Sequence, residues 1–74
     1  MNSLQLKYKS QIEEMIEACQ RSAELGYGAG SGGNAAYRVE DQVVLITPTG
    51  IVKRKIRFED ICIIDMDGNP LYIP

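Results

Sequence analysis

AYRVEDQVVLITPTG, residues 36–50, decides how the rest of the chain is read. Its two apolar, β-branched stretches, 36–39 and 43–48, are separated by the acidic turn Glu40–Asp41–Gln42, and that order predicts an antiparallel hairpin. Pro48 has no amide hydrogen to give a ladder and so closes the second strand. The stretch ends on TPTG, residues 47–50, a small polar turn that supplies hydroxyls at Thr47 and Thr49 and an exposed amide at Gly50.

Immediately upstream lies GYGAGSGGN, residues 26–34, with five glycines in nine positions. Each glycine raises the entropy lost on ordering, so a loop is expected here. Before that loop, from Leu4 to Leu25, the apolar residues Tyr8, Ile12, Met15, Ile16, Cys19 and Ala23 recur at steps of three and four. That period predicts an amphipathic helix, with Glu13, Glu14, Glu17, Gln20 and Glu24 mostly off the apolar stripe. Asn2 or Ser3 serves as its cap, or Ser10 with Glu13 as a capping box further in, and Gly26 supplies the left-handed residue that closes it.

Downstream, residues 51–60 predict a bend followed by a helical turn at Phe58 to Asp60, and ICIIDM at 61–66 predicts a third strand. The Asp67–Gly68–Asn69 turn then sends the chain back into a fourth, 71–73. The expected fold class is α+β: one N-terminal amphipathic helix packed on a small, mainly antiparallel sheet of about four strands, in a single domain over residues 1–74.

A chain of 74 residues buries only roughly 60% of the surface its unfolded form exposes, so marginal stability is expected. No apolar run approaches the ~20 residues of a membrane span, and the N-terminus lacks the apolar core of a signal peptide, which points to a cytoplasmic protein with no membrane partner. A net charge of −2 argues against nucleic acid as a partner, since non-specific binding needs a basic surface. The basic run Lys53 to Arg57 has no interleaved aromatics and is expected to be a solvated turn. Cys19 and Cys62 lie 43 positions apart with no histidine in the chain, so neither a metal site, a disulfide framework nor a cysteine nucleophile with a histidine base is expected; both should be small buried residues. The four tyrosines are scattered and expected to pack.

GSGGN at 30–34 is neither GxGxxG opening a helix nor a P-loop, because the residues after it look like a strand. Glycine does allow main-chain amides to approach a ligand closely, and successive amides in such turns form concave nests that attract anions. With Ser31 and Asn34 adding side-chain donors and TPTG repeating the inventory, the two turns are expected to face one another and hold an anion.

These residues resemble the N-terminal portion of the class II aldolase and adducin family. The resemblance runs from the first helix to about residue 71 and rests on an ordered set: glycine-asparagine at 33–34 before a strand, ITPTG at 46–50, an acidic turn before a strand, and DGN at 67–69. It implies that Ser31, Gly33, Asn34, Thr49 and Gly50 bind the phosphate of a sugar phosphate, in a partial class II aldolase-like fold. Two features depart from the family pattern: Ala36, where serine is frequent, and the basic Lys53–Arg54–Lys55.

The resemblance also implies what is missing. Catalysis in the family uses a zinc ion held by histidines, an acidic residue for proton transfer and further serines, all beyond the matched region. With no histidine, this chain is expected to carry no cofactor, no metal ligands and no catalytic residues, and Asp65 and Asp67 are read as sheet-edge and turn residues. The expectation is therefore a phosphate-binding portion of a sugar-phosphate lyase or epimerase, inactive alone. The alternative is a non-catalytic, adducin-like binding or scaffold module. Because the apolar LYIP segment at 71–74 leaves a sheet edge open, a homo-oligomer formed through that edge is expected.

Overall fold

The apolar stripe winds as two nearly continuous helices, α1 (Ser3–Lys7) and α2 (Lys9–Glu24). The structure, a computed structural model, describes residues 3–26, 35–48, 50 and 55–74. Hydrogen bonding runs through the junction at Tyr8, whose N–H donates to the Leu4 carbonyl at 3.1 Å while its own carbonyl accepts from Ile12 N–H at 2.9 Å. Its dihedrals nevertheless leave the helical well, at φ −106° and ψ 23°. The sequence stripe predicts one helix because Tyr8 belongs to the apolar face on either side of the break. Ser10 lies inside α2, so the Ser10–Glu13 capping box does not form. Gly26 closes the helix as expected: it sits at φ +87° and donates to the Ala23 carbonyl at 3.1 Å.

The buried Tyr8 ring directs its hydroxyl to the Glu40 carboxylate, and Lys7 meets the same carboxylate at 3.7 Å. Donation to Glu40, burial and the nearby negative charge all oppose the phenolate and raise the Tyr8 pKa. A raised pKa in the folded state means a contribution fully present below the unfolded value of about 10 and lost as pH rises through the folded one. Tyr8→Phe should thus cost about 0.5–1.5 kcal/mol at neutral pH. Urea midpoints followed from pH 8 to 11 should fall for the wild type and converge on those of Tyr8→Phe; parallel curves would count against the contact.

Four strands follow: β1 (Ala36–Glu40), β2 (Val43–Ile46), β3 (Cys62–Ile64) and β4 (Pro70–Tyr72). They form one sheet in the order β1-β2-β3-β4 with every neighbouring pair antiparallel. The expected hairpin is present, and so is the short 3-10 turn at Phe58–Asp60. Boundaries differ in all four strands. Glu40 belongs to β1 rather than to the turn, because the register shifts between Arg38 and Glu40 and a bulge absorbs the extra residue. β2 stops at Ile46, two residues before Pro48; β3 keeps only three of the six residues expected at 61–66; and β4 begins one residue early, at Pro70, and ends at Tyr72.

Register sorts the side chains. Tyr37, Leu45, Ile63 and Tyr72 lie across from one another on successive strands and share a face. Leu45 and Ile63 are fully buried against Tyr8, Ile12, Met15 and Cys19 of the helices, with Ile56 and Ile61 completing the core. Burying each Leu or Ile this way is worth about 1.5–3 kcal/mol. The alternate rows, Ala36–Ile46–Cys62 and Arg38–Val44–Ile64, lie on the opposite face of the sheet. Both cysteines are buried, as expected. Among the described residues no helix is long and apolar enough to cross a membrane.

Candidate functional site

Antiparallel pairing of β1 with β2 sets Ala36 opposite Ile46. The chain enters β1 from the glycine-rich segment and leaves β2 into TPTG, so both segments join the sheet at the same end and on adjacent strands. The adjacency continues one residue further. Thr47 N–H donates to the Ala35 carbonyl at 3.0 Å, and Ala35 N–H donates to Thr47 Oγ1 at 2.9 Å. Thr47 is 4% exposed, so its hydroxyl is not offered to a ligand, contrary to the expectation that it is a donor of the turn.

Of the five residues expected to bind phosphate, Gly50 is described: it is exposed and holds φ at +82°, a conformation L side chains rarely adopt. Among the described residues a Cβ built there meets nothing within 4 Å, so it is backbone conformation that favours glycine. Ser31, Gly33, Asn34 and Thr49 lie outside the described residues, as do Lys53 and Arg54. Lys55 and Arg57 are exposed on either side of the buried Ile56, in keeping with a solvated basic segment. Ala35 also borders a cleft of about 390 Å³ between α2 and β1, walled by Met15, Ala18, Cys19 and Tyr37 with Glu14 and Ser22 at polar positions. Neither Ala35 nor this cleft carries a residue-type signal that sequence reading can detect.

Residues 13–73 match the family described as the Class II Aldolase and Adducin N-terminal domain. The chain belongs to the class II aldolase and adducin family. Among curated relatives of this class II aldolase family chain, 3-oxo-tetronate 4-phosphate decarboxylase of Haemophilus influenzae is 37% identical over 84% of the chain and 30% of its own length. L-fuculose phosphate aldolase of Methanococcus maripaludis is 40% identical over 78% of the chain and 32% of its own length. Methylthioribulose-1-phosphate dehydratase of Pectobacterium atrosepticum is 32% identical over 80% of the chain and 29% of its own length. The chain thus spans about a third of the length of these relatives.

The zinc that the aldolase resemblance implies does not fit the donors of this chain. There is no histidine, and among the described residues no three Cys, Asp or Glu side chains converge on a point where a cation would sit. The acidic turn after β3 has a different use. Asp65 Oδ1 accepts from the N–H groups of Asp67 and Asn69 at 2.9 and 2.8 Å, and Oδ2 accepts from Asn69 Nδ2 at 3.1 Å. This is an Asx-type staple that lets a short polar side chain replace backbone acceptors in a tight reversal.

The Asn69 amide and the Asn69 side chain, ahead of the Asp67 and Gly68 amides, stabilise the Asp65 carboxylate and hold its pKa below the ordinary value. A lowered folded pKa gives a contribution present above the unfolded value of about 3.9 and lost as pH falls through the folded one. The β3–β4 reversal should loosen on acidification, and Asp65→Ala should loosen it at neutral pH. Amide exchange at Asp67 and Asn69 checks this: both should exchange faster in Asp65→Ala while Leu45 keeps its protection, and unchanged rates would remove the staple from the account.

Proposed function

We propose that this chain is the phosphate-cradling N-terminal portion of a class II aldolase-like sugar-phosphate enzyme. Ser31, Gly33, Asn34, Thr49 and Gly50 are its phosphate-binding residues, with main-chain amides and hydroxyls as donors. The observation that carries the reading is the Ala35–Thr47 pair, which holds the ends of both segments side by side at one end of the sheet. The names of the relatives support it: they describe a decarboxylase, an aldolase and a dehydratase, three different reactions, and each names a phosphate. A portion shared by all three is better suited to holding what their ligands have in common than to the chemistry that separates them.

On this reading the bond-breaking step belongs to the two-thirds of the relatives' length that this chain does not match. The chain alone is inactive, and the zinc that the resemblance implies would be held by residues outside it. Titration of inorganic phosphate followed by amide NMR tests the cradle: shifts should concentrate at residues 31–35 and 47–50, and an even spread would overturn it. Retro-aldol cleavage of a sugar phosphate by the purified chain with added zinc would refute the claim of inactivity.

The second reading is the adducin-like binding or scaffold module, and one observation favours it. Val44, Ile46 and Ile64 lie on the sheet face away from the helices and outside the core cluster, and both β1 and β4 are edge strands. Self-association through an edge is part of this reading, and cytoplasmic residence is compatible with both. A chain that shows no phosphate shifts yet sediments as a stable oligomer favours the module. A monomer that binds phosphate favours the cradle.

A further inference from the structure

In a regular antiparallel ladder two hydrogen-bonded residues exchange both N–H groups for both carbonyls. The Ala35–Thr47 pair keeps half of that exchange. Thr47 N–H donates to the Ala35 carbonyl at 3.0 Å, but Ala35 N–H donates to Thr47 Oγ1, where a regular ladder would use the Thr47 carbonyl. The hydroxyl in turn donates to the Ala35 carbonyl at 3.4 Å. The side chain therefore finishes the ladder in place of the main chain.

The substitution has a consequence for the segments on either side. Pro48 forces Thr47 toward an extended backbone and removes the next amide, so the second strand must peel away here. Were the carbonyl of Thr47 still required by Ala35, that departure would leave a half-buried amide without its acceptor. With the hydroxyl as acceptor, the main chain is released into the turn that carries Gly50 while Ala35 stays fixed. Serine has the acceptor but not the β-branch that favours extended backbone, and valine has the branch but no acceptor.

We propose that Thr47 is the positioning residue of the anion site: its hydroxyl fixes Ala35, and with it the spacing of residues 35 and 47, the two points at which the chain meets this end of the sheet. The proposal rests on the phosphate reading above, and Thr47 itself touches no ligand.

The test is a titration of inorganic phosphate, followed by amide NMR, into the wild type, Thr47→Val and Thr47→Ser, with hydrogen exchange at the Ala35 amide measured in each. Thr47→Val should fold, judged by unchanged Leu45 and Ile63 methyl shifts, yet bind phosphate about tenfold more weakly and exchange faster at Ala35. Thr47→Ser should recover both readouts. Equal affinity for wild type and Thr47→Val overturns the positioning role, as does a Thr47→Ser protein no better than Thr47→Val, which would assign the effect to packing. If Thr47→Val does not fold, Thr47→Ser decides alone: retained affinity supports the hydroxyl and lost affinity overturns it. A wild type that shows no phosphate shifts removes the cradle and this role with it, whereas a wild type that binds while Thr47→Val binds equally removes the role and leaves the cradle.

Discussion

Leu45→Ala should remove about 2–5 kcal/mol, the cost of deleting a fully buried leucine and leaving an incompletely collapsed cavity. Natural domains hold roughly 0.05–0.15 kcal/mol per residue, which for a chain of this length is about 4–11 kcal/mol in total. One substitution thus takes a large share, and the variant should be partly or wholly unfolded at 37 °C. Leu45 is the position to choose because it is central in every direction. It lies in β2 between Tyr37 and Ile63 and below the helical face of Ile12 and Met15. Leu25→Ala is the control, since that side chain is 66% exposed and its loss should change stability by no more than about 0.5 kcal/mol. Denaturant midpoints by far-UV circular dichroism give both numbers. Similar midpoints for the two variants would mean that the core does not lie where the register and burial put it.

Gly50→Val should weaken phosphate binding by about tenfold or more with little loss of fold. Holding an L-residue in the left-handed region costs about 1–2 kcal/mol, and a β-branched side chain is the worst case. Because the added Cβ meets nothing within 4 Å among the described residues, the penalty is conformational: residue 50 leaves the left-handed well and its amide changes direction. Asparagine visits that well more readily, so Gly50→Asn should retain more affinity than Gly50→Val. Phosphate affinities by amide NMR, alongside thermal midpoints, separate the two effects. Wild-type affinity in Gly50→Val would take Gly50 out of the site.

Much of this architecture is legible in the residues because local rules and burial agree. The three-and-four spacing from Tyr8 to Ala23, Gly26 after the last turn, and the two β-branched stretches around Glu40 to Gln42 each point one way, and the chain folds that way. What escapes is set by side chains that act across the fold. Glu40 looks like a turn residue from its neighbours, yet a bulge keeps it in β1, where it meets Tyr8 from the helix junction. Tyr8 in turn looks like an unbroken part of the stripe, because sequence period reports which face a residue is on and not its dihedrals.

The candidate site shows the same limit more sharply. Composition marks GSGGN and TPTG as donor-rich turns, but it cannot separate a hydroxyl that faces a ligand from one that completes a ladder. Thr47 reads as a donor of the turn, and the pairing of Ala35 with Thr47 reveals that its hydroxyl is already engaged. Asp65 is a further instance: its carboxylate is a turn acceptor because Asn69 lies four residues on, a relation visible only once the chain has reversed.

Every strand of the sheet pairs with the strand next to it in sequence. Such a meander closes short loops before long ones, which keeps the entropy of each step small and favours rapid assembly. It can also zip up in the direction of synthesis, each new strand finding its neighbour already in place, so that a nascent chain emerging from the ribosome need not hold an unpaired strand in waiting.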